Sequence, residues 1–158
     1  MLHSTWRRHA LGFRGFRVVA VVRNPLDRFL SFWDFGQRNE AVCHKMGLDF
    51  QFPLEALVEY VLSVPPAEQN WHVRPQTLCL TLEGKWLGTD HIRFERFSAE
   101  VFRVLGSLGC KLAQVPHVNQ STAPPARRWS QWAKLPGSQR HAVIEHFQQD
   151  FENLGYEP

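Results

Sequence analysis

The chain has 158 residues, 44% of them hydrophobic, with six Trp, twelve Phe and a formal charge of +3. That is enough for one domain with an aromatic core, expected over residues 1–158, since no linker long enough to separate a second domain is present. Cys43, Cys79 and Cys110 are too few and too scattered for a disulfide framework or a Cys-x-x-Cys metal site, and no apolar run approaches the roughly 20 residues of a membrane span.

The charge is unevenly placed. No acid precedes Asp27, whereas Arg7, Arg8, Arg14, Arg17 and Arg23 do, so the amino-terminal part attracts anions. A nucleotide, an acidic glycan and nucleic acid would all satisfy that field. The aromatics occupy core-like positions instead of alternating with basic residues, and no nucleic-acid motif is present, which argues against the last.

In chain order, the first clear element is Val18-Val-Ala-Val-Val22, five apolar residues that suit a central parallel strand covered on both faces. It runs into a helix: Asn24 is an N-cap, Pro25 sits at the first helical position, and Asp27 favours the positive end of the helix dipole. Leu26, Phe29, Leu30 and Trp33 form one apolar stripe, with Ser31 on the other side beside Asn24 and Arg28, and Gly36 is a natural stop. Arg23 leaves the carboxyl end of the strand, where open α/β sheets bind ligands, and the Ser31 hydroxyl can reach the same anion. On spacing alone the pair fits a solvent-facing arginine and an inert helix serine equally well.

Pro53–Leu62 reads as a helix with Leu54, Leu57, Val58, Val61 and Leu62 on its core face. The polar stretch from Glu68 to Gln76 is a loop that brings Trp71, His72 and Arg74 close together, and on their chemistry alone His72 and Gln76 fit hydrogen bonding to the loop backbone better than a direct role. His91–Glu95 is a short alternating strand, and Ser98 starts a helix with Val101, Phe102, Leu105 and Leu108 inward before Gly109 stops it. Glu95 fits structural pairing with an arginine better than a direct role. The proline-punctuated region Val115–Gly137, with His117, Asn119, Ser121, Arg127 and Arg128, is expected to be an irregular loop, in which adjacent Arg127 and Arg128 fit exposed, solvated charge. Asn119-Gln120-Ser121 also fits a glycosylation acceptor in a secretory compartment. A last helix, capped by Ser138, carries Val143, Ile144, Phe147, Phe151 and Leu154 and ends at Gly155. His141 and His146 are wrongly phased on that helix for a zinc pair, so no metal is expected there.

The segments VVRNPLDRFLSFW, NWHVRPQTLCL, IRFERF, PHVNQS and DFENLGY, in this order, resemble the carbohydrate sulfotransferase family and its bacterial relatives. The resemblance implies an α/β fold, a parallel sheet flanked by helices in the P-loop-like sulfotransferase arrangement. It implies the co-substrate 3′-phosphoadenosine 5′-phosphosulfate (PAPS), with Arg23 and Ser31 on the 3′-phosphate and Arg127 and Arg128 from a late basic loop completing the grip. His72, Arg74 and Gln76 fall near the active cleft as candidates for acceptor or sulfate contact, His72 also as a base. His3, with His9 behind it, stands where some relatives place the catalytic base. The acceptor is a hydroxyl, by family resemblance a glycan's; neither a metal nor nucleic acid is implied. A bacterial chain of this kind would work in the cytoplasm and a eukaryotic one in the Golgi lumen.

The family's loop for the 5′-phosphosulfate, rich in Lys, Gly, Ser or Thr, lies upstream of the strand before Arg23. No G-x-x-x-x-G-K-[ST] stretch occurs in the 158 residues, so the fold is expected to be incomplete at its amino terminus. Arg23 and Ser31 alone would supply about 3–6 kcal/mol before the cost of immobilising the nucleotide. Millimolar binding needs about 4 kcal/mol net, so weak binding and little or no transfer are expected. The alternative is a non-catalytic or vestigial module for 3′-phosphoadenosine nucleotides.

Overall fold

The computed structural model describes residues 18–82, 85–87, 90–110 and 125–158. His3, His9, Arg7, Arg8, Arg14, Arg17, His117, Asn119 and Ser121 lie outside the described residues. The chain divides into two compact units, one of Met1–Val22 with Leu78–Ala113 and one of Arg23–Thr77 with Gln114–Pro158.

The first unit holds the sheet. Strand β1 (Val19–Val22) pairs in parallel with a later strand, Asp90–Arg93, with Val19 opposite Asp90 and Val22 opposite Arg93. The expected parallel arrangement is therefore present. Val22 and Ile92 are buried, but Val21 is 53% exposed, so β1 is not covered on both faces as its apolar run suggests. Between the two strands in sequence lies an antiparallel hairpin of β2 (Thr81–Leu82) and β3 (Lys85–Trp86), which makes Asp90–Arg93 strand β4.

After β4 a single 3-10 turn, Phe94–Arg96, leads into a helix, Phe97–Ser107, that packs on β4. The helix starts before Ser98, without a side-chain cap, and Glu100 Oε2 accepts the Arg93 N–H at 2.7 Å. Val101 and Val104 are its buried residues, while Phe102 and Leu108 stay exposed, leaving a narrower core face than the sequence pattern suggests. Gly109 closes it at φ +73°, a left-handed conformation that favours glycine.

The second unit is helical. Helix α1 (Pro25–Gly36) begins where expected and buries Leu26, Phe29, Leu30 and Trp33. Gly36 is the last residue of the helix but not a left-handed stop as the sequence suggests. The residue after it is right-handed, and a Cβ on Gly36 would stand 2.7 Å from the Phe52 ring, so the glycine is a packing slot. Helices α2 (Glu40–Lys45) and α3 (Leu54–Ser63) follow; α3 buries Leu54, Leu57, Val58 and Val61, with Leu62 turned outward. A short helix α4 (Gln76–Cys79) comes next, so Phe97–Ser107 is α5.

The region expected to be irregular contains a helix, α6 (Pro125–Lys134). Pro125 stands at its first position, and Arg128, Trp132 and Leu135 are buried at helical spacing. The carboxyl-terminal helix is two: α7 (Gly137–His146), entered from Pro136 without a Ser138 cap, and α8 (Gln148–Leu154), ended by left-handed Gly155. Phe147 lies between them and meets Phe29 with ring centroids 6.0 Å apart. One hydrophobic cluster joins Leu26, Phe29, Leu30, Trp33, Leu57, Val58, Val61, Trp132, Val143, Phe147 and Phe151.

Candidate functional site

The start of α1 is fully saturated. Pro25 has no N–H, the Asn24 side chain takes the Leu26 and Asp27 N–H groups at 3.0 and 3.1 Å, and the Asn24 carbonyl takes that of Arg28 at 2.9 Å. An anion here must therefore be gripped by side chains. Arg23, one residue before the cap, is half-buried with its Nε shielded from water, and Ser31 is partly exposed. At about 100° per residue, Ser31 shares a face of α1 with Asn24, Arg28 and Phe35.

Gln76 does not reach outward toward an acceptor. It is buried, its Oε1 accepts the Arg23 N–H at 3.0 Å, and its Nε2 donates to the Arg23 carbonyl at 2.8 Å. Gln76 is itself held by Asp150, whose Oδ2 accepts the Gln76 N–H at 2.7 Å while Oδ1 accepts that of Thr77, also at 2.7 Å. Asp150 is completely buried. The sequence carries a signal for it: Asp150 falls three residues after Phe147 and seven after Val143, a carboxylate on the apolar stripe of the last helices.

Arg74 likewise braces its own loop. Its Nη2 donates to the carbonyls of Ala67 at 2.7 Å and Gln69 at 2.8 Å. The same loop is tied to α1 by Arg28, which the sequence pattern does not single out: Nη1 donates to the Arg74 carbonyl at 2.7 Å and Nη2 to the Trp71 carbonyl at 2.6 Å. His72 is thereby held in a stack of rings, 3.6 Å from Trp71 and 5.2 Å from Phe32, with Phe35 at 6.0 Å. Burial, with the nearby Arg28 cation adding to it, pushes the His72 imidazole below its ordinary value of 6.5 and keeps it a neutral proton acceptor at pH 7.

The adjacent arginines of α6 differ sharply. Arg127 is exposed, but Arg128 is only 4% exposed, and its Nε has no hydrogen-bond partner among the described residues. No ion pair of Arg128 occurs among the described residues either. Helix α6 packs against α1, so this buried cation belongs to the same helical unit as Arg23 and Ser31. Among the described residues no group of three or more His, Cys, Asp or Glu could hold a metal ion, and no helix is long and apolar enough to cross a membrane.

A family model described as the sulfotransferase family matches residues 2–157 of the chain. No curated protein and no solved structure matches it significantly.

Proposed function

The chain belongs to the sulfotransferase family, and from that premise we propose that it binds PAPS through the 3′-phosphate and directs a sulfuryl group to a hydroxyl acceptor, a carbohydrate by family resemblance. The observation that carries this is Arg128. A guanidinium taken out of water with no acidic partner among the described residues costs several kcal/mol, and an anionic ligand beside it would offset that cost. Arg23 and Ser31 supply the other contacts to the 3′-phosphate, with Arg127 at the exposed rim.

Sulfuryl transfer, like phosphoryl transfer, asks the protein chiefly to align the attacking oxygen with the leaving phosphate and to gather positive charge around the moving group. A neutral imidazole is suited to take the acceptor's proton. His72 is such an imidazole by environment, and His3 is the second candidate by its place in the family's pattern. Gln76 and Arg74 are assigned to holding the site together instead of touching the acceptor.

A second reading is a nucleotide-binding module with little transfer activity. Incubation with radiolabelled PAPS and a panel of hydroxyl acceptors, monosaccharides to glycosaminoglycans, separates the two. Label appearing in an acceptor supports the enzyme. Saturable binding of 3′-phosphoadenosine 5′-phosphate without label transfer supports the module, and neither result would refute both.

A further inference from the structure

We infer that Gln76, held in place by Asp150, is a positioning residue for Arg23: it fixes the backbone from which the phosphate-binding guanidinium projects. The inference rests on the reading of Arg23 as a phosphate ligand. Strand pairing of β1 ends at Val22 opposite Arg93, so Arg23 is the first residue beyond the ladder. The Gln76 carboxamide takes over where the ladder stops, offering one acceptor to the Arg23 N–H at 3.0 Å and one donor to its carbonyl at 2.8 Å. Only a carboxamide carries both functions side by side in a single side chain of this shape.

The fixation continues inward. The Gln76 backbone donates to Asp150 Oδ2 at 2.7 Å, and its Nε2 lies 3.5 Å from the same oxygen. Asp150 sits on α8, whose neighbours Phe151 and Leu154 are buried, so Gln76 links a core helix to the Arg23 backbone. A glutamate at position 76 would present oxygen to both the Arg23 carbonyl and Asp150. An asparagine would fall one methylene short. A guanidinium on a long flexible stem binds a phosphate well only if its root does not wander, because ordering it on binding would subtract from affinity.

The test is a double-mutant cycle read by calorimetric titration with 3′-phosphoadenosine 5′-phosphate. Gln76→Met keeps the volume and removes both hydrogen bonds. It is expected to weaken nucleotide binding about tenfold, and the Gln76→Met/Arg23→Ala double variant is expected to bind no more weakly than Arg23→Ala alone. Merely structural damage would instead add to the loss from Arg23→Ala. Gln76→Met binding as tightly as the wild type, or effects that add, would overturn the positioning role while leaving Arg23 as a ligand. If Arg23→Ala itself leaves affinity unchanged, the phosphate reading fails, and the inference with it. Should Gln76→Met not fold, amide hydrogen exchange in the wild-type protein decides: the Arg23 N–H is expected to be protected to the level of the β1 amides, and exchange at the rate of an open loop would overturn the clamp.

Discussion

Arg128 and Trp132 stand one turn apart on the same face of α6, both buried, one a cation with its Nε unbonded among the described residues and the other a member of the hydrophobic core. Such a pair is costly in a resting protein and useful in one that receives an anion.

The consequence is a stability and affinity split. Arg128→Met removes a buried charge while keeping apolar volume, so the ligand-free protein should be as stable as the wild type or more so, by about 1–4 kcal/mol. Binding of 3′-phosphoadenosine 5′-phosphate should weaken at least tenfold in the same variant, while the exposed Arg127→Ala changes it less. Thermal unfolding and calorimetry on the two variants check this; loss of stability together with unchanged affinity would assign Arg128 to structure alone.

Gly36 and Gly106 make an opposed pair. An alanine at 36 would press its Cβ onto the Phe52 ring, which is buried in the core on a backbone anchored where the Phe52 carbonyl accepts from Trp33 Nε1 at 3.2 Å and Gln37 Nε2 at 2.8 Å. Gly36→Ala should therefore destabilise by about 1–3 kcal/mol, with partial rescue by Phe52→Leu. Gly106 lies inside α5 with nothing within 4 Å of an added Cβ, so Gly106→Ala should stabilise by about 0.5–1 kcal/mol. Denaturant unfolding of both variants reads the two signs.

His72 and His146 are both pushed below the ordinary histidine value of 6.5, each chiefly by burial. In the unfolded chain they protonate near pH 6.5 while the folded chain still resists. Their neutral burial therefore costs nothing above that pH, and stability is lost as pH falls from there through the lowered folded values. His72→Gln should flatten some of that acid limb, measured as the midpoint of denaturant unfolding across roughly pH 5 to pH 8, the range of histidine titration. An unchanged pH dependence would show that the His72 ring titrates as an exposed histidine.

Local chemistry is legible in the sequence wherever one segment contains all the partners. Asn24-Pro25 announces the start of α1, Leu26, Phe29, Leu30 and Trp33 its buried stripe, and the β-branched run its strand. What stays hidden depends on distant segments. Gln76 reads either as an acceptor contact or as a side chain bonded to its own loop backbone, until Asp150, far along the chain, is seen to hold it against the backbone of Arg23. Helix α6 is obscured by the prolines before it, although Pro125 serves as its first residue and Arg128, Trp132 and Leu135 keep helical phase. Val21 reads as buried because apolar residues run through the whole strand, yet it is more than half exposed.

Arg23, with Ser31 and Arg128, is proposed to recognise a 3′-phosphate. Parallel calorimetric titrations with 3′-phosphoadenosine 5′-phosphate and with adenosine 5′-phosphate, on the wild type, Arg23→Ala and an exposed control, Arg103→Ala, test it most directly. The wild type and the control are expected to prefer the 3′-phosphorylated nucleotide by about tenfold or more, and Arg23→Ala to lose this preference. Equal affinity for the two nucleotides in the wild type, or equal losses in Arg23→Ala and Arg103→Ala, would contradict it.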